Sequence, residues 1–265
     1  LRKRERRGSQ VYYSFAPSVA AAVLTFSLLA LYSEPRCVEL YANTLTVLAA
    51  GASFWASLRV LERQKLILYE PLRASWFYVS TGLGLWLVAE ALRLAHIALL
   101  GGPPGLSAAD VARALGYALV LAGLYRGVKP LSLLTRGADL GYKARLAYAI
   151  PPALGAPLIA AALAEIPEAV AEEGLLTAIV GVSYVVLDAA LLTLSLKAVA
   201  FFWRGRFVGG PALLSLGLAL LAVSDLPYSA VGGYYPGNPL DMLRAISYMV
   251  MAAGIYAYSR QPPVI

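Results

Sequence analysis

Trp86, Glu90, Arg93 and His96 fall at spacings of 4, 3 and 3, which puts them in one slowly drifting stripe on a helix. Such a stripe inside an apolar run suits a polar binding pocket, because ionisable groups are expensive in hydrocarbon and are functional candidates by default. Glu90 lies about ten residues, or ~15 Å, from the end of its run, close to the middle of a bilayer-spanning helix. The pocket reading adds Arg113 and Tyr117 from the next run, with Asp225, Arg244 and Tyr248 as a counterpart later in the chain. The plain alternative is a self-satisfied Glu90–Arg93 pair, with His96 bonded to a loop.

Two further acids read first as helix starts. Asp110 follows Ser107 by three residues, and Asp241 follows Asn238 by three with Pro239 between. Both fit a capping box with an acid at the positive helix end, and Arg113 and Arg244 can pair with them at i+3. Asp188 stands alone in the middle of its own apolar run and completes the candidate binding residues. Lys197, nine residues on and at the cytoplasmic end, is poorly placed for a Schiff base. There is no Walker loop, HExxH or nucleophile elbow, so no catalytic residue is expected and the chain reads as a non-enzyme. A single Cys37 and a single His96 leave no disulfide, multi-cysteine metal site or bis-histidine haem within the chain. No metal or cofactor is expected.

The elements that position these residues follow from composition. Sixty percent of the 265 residues are apolar and 14% charged, against about 25% charged in soluble chains. Apolar segments occupy about 11–32, 41–61, 75–100, 108–126, 143–163, 174–202, 209–231 and 239–258, each about the 20 residues that a membrane crossing needs. Turn chemistry separates them, as in Ser33-Glu34-Pro35 and Pro236-Gly237-Asn238-Pro239. Eighteen basic residues, from the N-terminal cluster through Arg59, Arg126, Lys197 and Arg260, fall on one side of this alternation. The other side has only Arg36, amid acids such as Glu34, Glu39, Glu165 and Glu168. Basic loops face the cytoplasm, so eight helices with both termini cytoplasmic, in the cell membrane, are expected. The net charge of +7 is thus an orientation signal and does not imply nucleic acid. The basic residues 2–7 precede a long apolar run, which reads as a first anchor and not as a signal peptide. Scarce Asn, Gln, Cys and Met suggest a thermophilic source.

The chain also echoes itself. Asp110-x-x-Arg113-Ala114-x-x-Tyr117, then Gly123-x-Tyr125, recurs as Asp241-x-x-Arg244-Ala245-x-x-Tyr248, then Gly254-x-Tyr256, 131 residues later. Leu83-Gly84-Leu85 matches Leu216-Gly217-Leu218 at 133, an offset that sets Glu90 against Val223, with Asp225 two residues on. Weaker echoes link Tyr13 and Pro17 to Tyr148 and Pro152, and Gly51-x-Ser53-Phe54 to Gly181-x-Ser183-Tyr184, while Leu58 falls opposite Asp188. A four-helix offset preserves direction, so the expected fold is an all-α integral membrane bundle of two parallel four-helix repeats. The expected divisions are a basic N-terminus at 1–10, repeats at 11–130 and 131–258, and a tail at 259–265.

Residues 83–126 resemble the membrane regions at the N-terminus of many archaeal and bacterial sensor proteins. The resemblance is carried by Trp86, Glu90, Ser107, Asp110, Gly116, Tyr117, Gly123 and Leu124. Residues 216–257 fit more loosely through Asp225, Asp241, Tyr248 and Gly254. Such regions normally precede a cytoplasmic output domain, whereas this chain ends seven residues past Tyr258. The resemblance therefore implies a sensing or accessory subunit that passes its state to other membrane subunits, with the bilayer as its other partner. A small-solute transporter with its pathway at the repeat interface is the competing expectation. A quinone- or haem-associated redox subunit is a further one.

Overall fold

The computed structural model describes residues 2–64, 70–101, 106–134, 174–202, 210–231 and 238–260, with scattered helical positions between 149 and 171. All regular structure among them is α-helix: α1 (Arg2–Tyr32), α2 (Pro35–Gln64), α3 (Glu70–Leu100), α4 (Ala108–Leu134), α5 (Leu175–Phe202), α6 (Gly210–Val231) and α7 (Pro239–Ser259). Each coincides with one expected apolar segment. The expected segment at 143–163 lies outside the described residues apart from scattered positions, as do Arg136, Glu165, Glu168, Tyr148 and Pro152.

The helix ends obey local chemistry. Gly101 closes α3 at φ +81°, a left-handed conformation that costs glycine nothing, and its N–H donates to the Ile97 carbonyl at 3.0 Å. Ser107 starts α4 by accepting from the Ala109 N–H at 3.2 Å. Asn238 starts α7 by accepting from the Leu240 N–H at 3.0 Å, with Pro239 at the first helical position. Two helices run across expected divisions. α4 runs unbroken past 130 to Leu134, and the basic residues from Arg2 onward are continuous with α1. The helix carries through both places, past Pro130 in α4 and Gly8 in α1.

Six helices, α1 to α5 and α7, are long and apolar enough to cross a membrane; the apolar part of α6, Gly210–Leu226, is shorter. Packing closes α2, α3, α4, α5, α6 and α7 into a ring, each against the next and α7 back against α2, while α1 lies outside on α2 and α7. The ring interior holds Leu83, Trp86, Tyr117, Tyr248 and Met251. Its outside carries exposed Leu48, Trp55, Phe77, Val111, Leu115 and Ile179, an apolar surface suited to lipid.

Candidate functional site

The site is made by two tight hairpins. In α3–α4, a side chain placed on Gly82 would meet the Gly116 carbonyl oxygen at 2.8 Å. In α6–α7, one placed on Gly217 would meet the Ser247 carbonyl oxygen at 2.8 Å. Glycine lets the two backbones touch, as small residues do between membrane helices. Gly82 and Gly217 thus hold the same place in their hairpins. Eight residues past each stands an acid, Glu90 or Asp225. Three residues before each facing residue stands an arginine, Arg113 or Arg244, and one after it a tyrosine, Tyr117 or Tyr248. Close approach then forces acid against arginine. Arg113 Nη2 donates to Glu90 Oε1 at 2.5 Å. Arg244 donates through Nε and Nη2 to Asp225 Oδ1, at 2.9 and 2.7 Å.

These pairs are also joined across the ring. Tyr117 donates toward Asp225 Oδ2 at 3.2 Å, and Tyr248 toward Glu90 Oε1 at 3.4 Å. Arg113 Nη1 lies 3.6 Å from Asp225 Oδ2. Trp86 fills the space between the tyrosines, edge-on to Tyr117 at 5.0 Å and to Tyr248 at 6.4 Å, and its Nε1 donates to the Arg113 carbonyl at 3.2 Å. Glu90 is 2% exposed, Asp225 5% and Arg244 3%. At that burial the desolvation cost of each ion is several kcal/mol, and only close pairing offsets it. No family model, curated protein or solved structure matches this chain. The meaning of the site therefore rests on its own geometry.

Two more contacts extend the network. The Tyr117 hydroxyl also lies in hydrogen-bond contact with Asp188 Oδ1, so one phenol with a single hydrogen faces two carboxylates. Toward the starts of α4 and α7, Arg93 Nη2 lies 3.7 Å from Asp241 Oδ1, and the Tyr184 hydroxyl reaches Asp110 Oδ1 at 3.0 Å. Of the candidate residues, Glu90, Arg93, Arg113, Tyr117, Asp188, Asp225, Arg244 and Tyr248 come together. His96, partly exposed, joins no hydrogen bond or ion pair among the described residues.

Several expected pairings are replaced. Glu90 binds Arg113 and Arg93 faces Asp241, so the Glu90–Arg93 pair gives way to partners on two other helices. Three residues amount to roughly 60° of rotation, enough to aim the two side chains at different neighbours. Asp110 does close its capping box, accepting from the Ser107 N–H at 2.9 Å, but Arg113 turns away to Glu90 and Asp225. Asp241 closes no box, since neither carboxylate oxygen has a hydrogen-bond partner among the described residues and Arg93 is its cation. The packing also sets Glu90 level with Asp225, where the Leu-Gly-Leu match had set it level with Val223. Sequence reasoning passed over Tyr184 and the wedge role of Trp86. Its one signal for Tyr184 was the Gly-x-Ser-aromatic echo. Among the described residues, no group of three or more His, Cys, Asp or Glu is placed to hold a metal ion.

Proposed function

We propose that this chain is an integral membrane protein of two parallel four-helix repeats, with both termini cytoplasmic. In this reading it works without chemistry of its own, as a sensing or accessory subunit of a larger membrane assembly. The observation that carries the reading is the reciprocal network. Each hairpin supplies an acid and an arginine that pair with one another, and each lends a tyrosine to the acid of the other. A duplicated hairpin accounts for the matching places of Gly82 and Gly217, Glu90 and Asp225, Arg113 and Arg244, and Tyr117 and Tyr248. Exchange of α2 with α5, α3 with α6 and α4 with α7 maps the ring of helices onto itself. The second repeat then begins after Leu134 and includes the segment expected at 143–163.

A buried ionic network is a poor device for stability alone, because well-packed apolar residues often do as well or better. It is a good device for fixing how two bodies sit together, since its hydrogen bonds demand one geometry. That suits a subunit whose output is the relative placement of its repeats. The transporter alternative is weakened because α3 and α5, which carry Glu90 and Asp188, run without a break, whereas many transporters bind at unwound midplane segments.

The test is purification from the native membrane in mild detergent, followed by mass spectrometry of whatever accompanies the chain. A second preparation carries Glu90→Gln with Arg113→Met, which removes one pair and leaves the Asp225–Arg244 pair intact. The expected result is a defined membrane partner with the unaltered chain, and its loss with a double variant that still inserts and folds. Isolation of the unaltered chain alone, or identical partner binding by the double variant, would refute the reading.

A further inference from the structure

We propose that Asp188 is a proton-binding site at the centre of the bundle, and that its protonation sets whether the Tyr117 hydroxyl donates to Asp225 or to Asp188. This deepens the sensing reading above, and rests on it for the statement that the proton is the stimulus. Besides Glu39, near the start of α2, the buried acids of the ring are Glu90, Asp188, Asp225 and Asp241, and the cations against these four are Arg93, Arg113 and Arg244. Glu90, Asp225 and Asp241 each have an arginine within 4 Å, and Asp188 has none among the described residues. With Asp188 neutral, three acids balance three arginines. With Asp188 ionised, an uncompensated carboxylate sits 1% exposed in the middle of α5, where an isolated charge costs so much that such groups normally take up a proton instead.

Hydrogen-bond counting agrees. The Tyr117 hydroxyl has one hydrogen and two carboxylate neighbours, Asp188 Oδ1 and Asp225 Oδ2. Asp225 is held as an anion by two hydrogen bonds from Arg244, with Arg113 at 3.6 Å, so it only accepts. If Asp188 carries a proton on Oδ1, it donates to the Tyr117 oxygen, and Tyr117 donates onward to Asp225 Oδ2. Each hydrogen then has an acceptor. The other oxygen, Asp188 Oδ2, has no partner among the described residues, which a neutral carboxyl tolerates better than a carboxylate. α5 packs against α4 and α6. The groups they present toward Asp188 are Tyr117 and Arg113 from α4 and Asp225 from α6, with Arg244 of α7 behind Asp225. Loss of the proton reverses the Tyr117 hydrogen bond onto Asp188 and withdraws it from Asp225. Proton binding is thereby coupled to the contact between the hairpins. Leu58 stands opposite Asp188 in the repeat, so the site belongs to the second repeat alone.

The experiment is infrared difference spectroscopy of the purified full-length chain, comparing acid with alkaline buffer in ordinary and in heavy water. The unaltered chain should give a protonated-carboxyl stretch that shifts in heavy water, moves when the aspartates are isotope-labelled, and disappears at high pH. Asp188→Asn should abolish that band, and Tyr117→Phe should shift it without removing it. Should Asp188→Asn fail to fold, Asp188→Glu decides, because the band must then lose its response to the aspartate label. The proposal is overturned if no labelled aspartate shows the band, or if the band survives in a folded Asp188→Asn variant. Neither result depends on a partner subunit, so failure here is distinguishable from failure of the accessory-subunit reading.

Discussion

Replacing Arg244 with methionine would strip Asp225 of its two shortest hydrogen bonds, at 2.7 and 2.9 Å, while keeping most of the side-chain volume. Arg113, at 3.6 Å, would become the nearest cation to a carboxylate that lies almost wholly inside the bundle. Removal of one member of a buried pair costs about 3–5 kcal/mol, chiefly because the other charge stays desolvated. Asp225→Asn alone should cost a similar amount by stranding Arg244. The double variant Asp225→Asn with Arg244→Met removes both charges and loses only neutral-strength bonds, at about 0.5–1.5 kcal/mol each. It should therefore be more stable than either single variant, which requires a coupling energy larger than either single cost, at least about 3 kcal/mol. Unfolding in mixed micelles of rising dodecyl sulfate content measures this, with helix loss followed by circular dichroism and packing by the fluorescence of the four tryptophans. The reasoning is refuted if the two single costs simply add, or if Arg244→Met costs less than about 1 kcal/mol.

Two other outcomes follow from the packing and the topology. Gly82→Val would drive a side chain into the Gly116 carbonyl and should cost about 1–3 kcal/mol, whereas Gly181→Ala, with nothing within 4 Å of the new methyl, should be neutral or stabilise by up to about 1 kcal/mol in the same unfolding assay. Cys37 is an exposed free thiol at the start of α2, so a membrane-impermeant maleimide should label it in intact cells without any substitution; labelling only after the membrane is opened would reverse the proposed orientation.

The helices were legible because a run such as 174–202 leaves almost no other reading, and α5 duly occupies Leu175–Phe202. The candidate residues were legible for a related reason: an ionisable group stands out in an apolar run. Their partners were not. Arg113 has Asp110 three residues away in sequence and Glu90 on another helix, and only the glycine contact between α3 and α4 decides for Glu90. The same contact corrected the internal match. Leu83-Gly84-Leu85 is the better string for Leu216-Gly217-Leu218, but Gly82 is the residue that touches a neighbouring backbone as Gly217 does. Letter identity favoured Gly84, whereas in the fold that position abuts only the Phe54 ring.

The Glu90–Arg113 and Asp225–Arg244 pairs each lie within one hairpin, and this bears on how the chain enters a bilayer during synthesis. A lone acid or arginine at the centre of an inserting helix costs about 2.5–3.5 kcal/mol on translocon scales. The α3–α4 hairpin leaves the ribosome with its acid and arginine together, and so does α6–α7. Each can be handed to the lipid with that pair already matched, the first before the second has been made. The tyrosine bridges join them only afterwards, when the two units meet side by side. Asp188 arrives on α5 between the two hairpins, with no ion-pair partner among the described residues. Of the buried acids at the ring centre, it alone must enter the membrane as a neutral acid, its partner Tyr117 having already entered on α4.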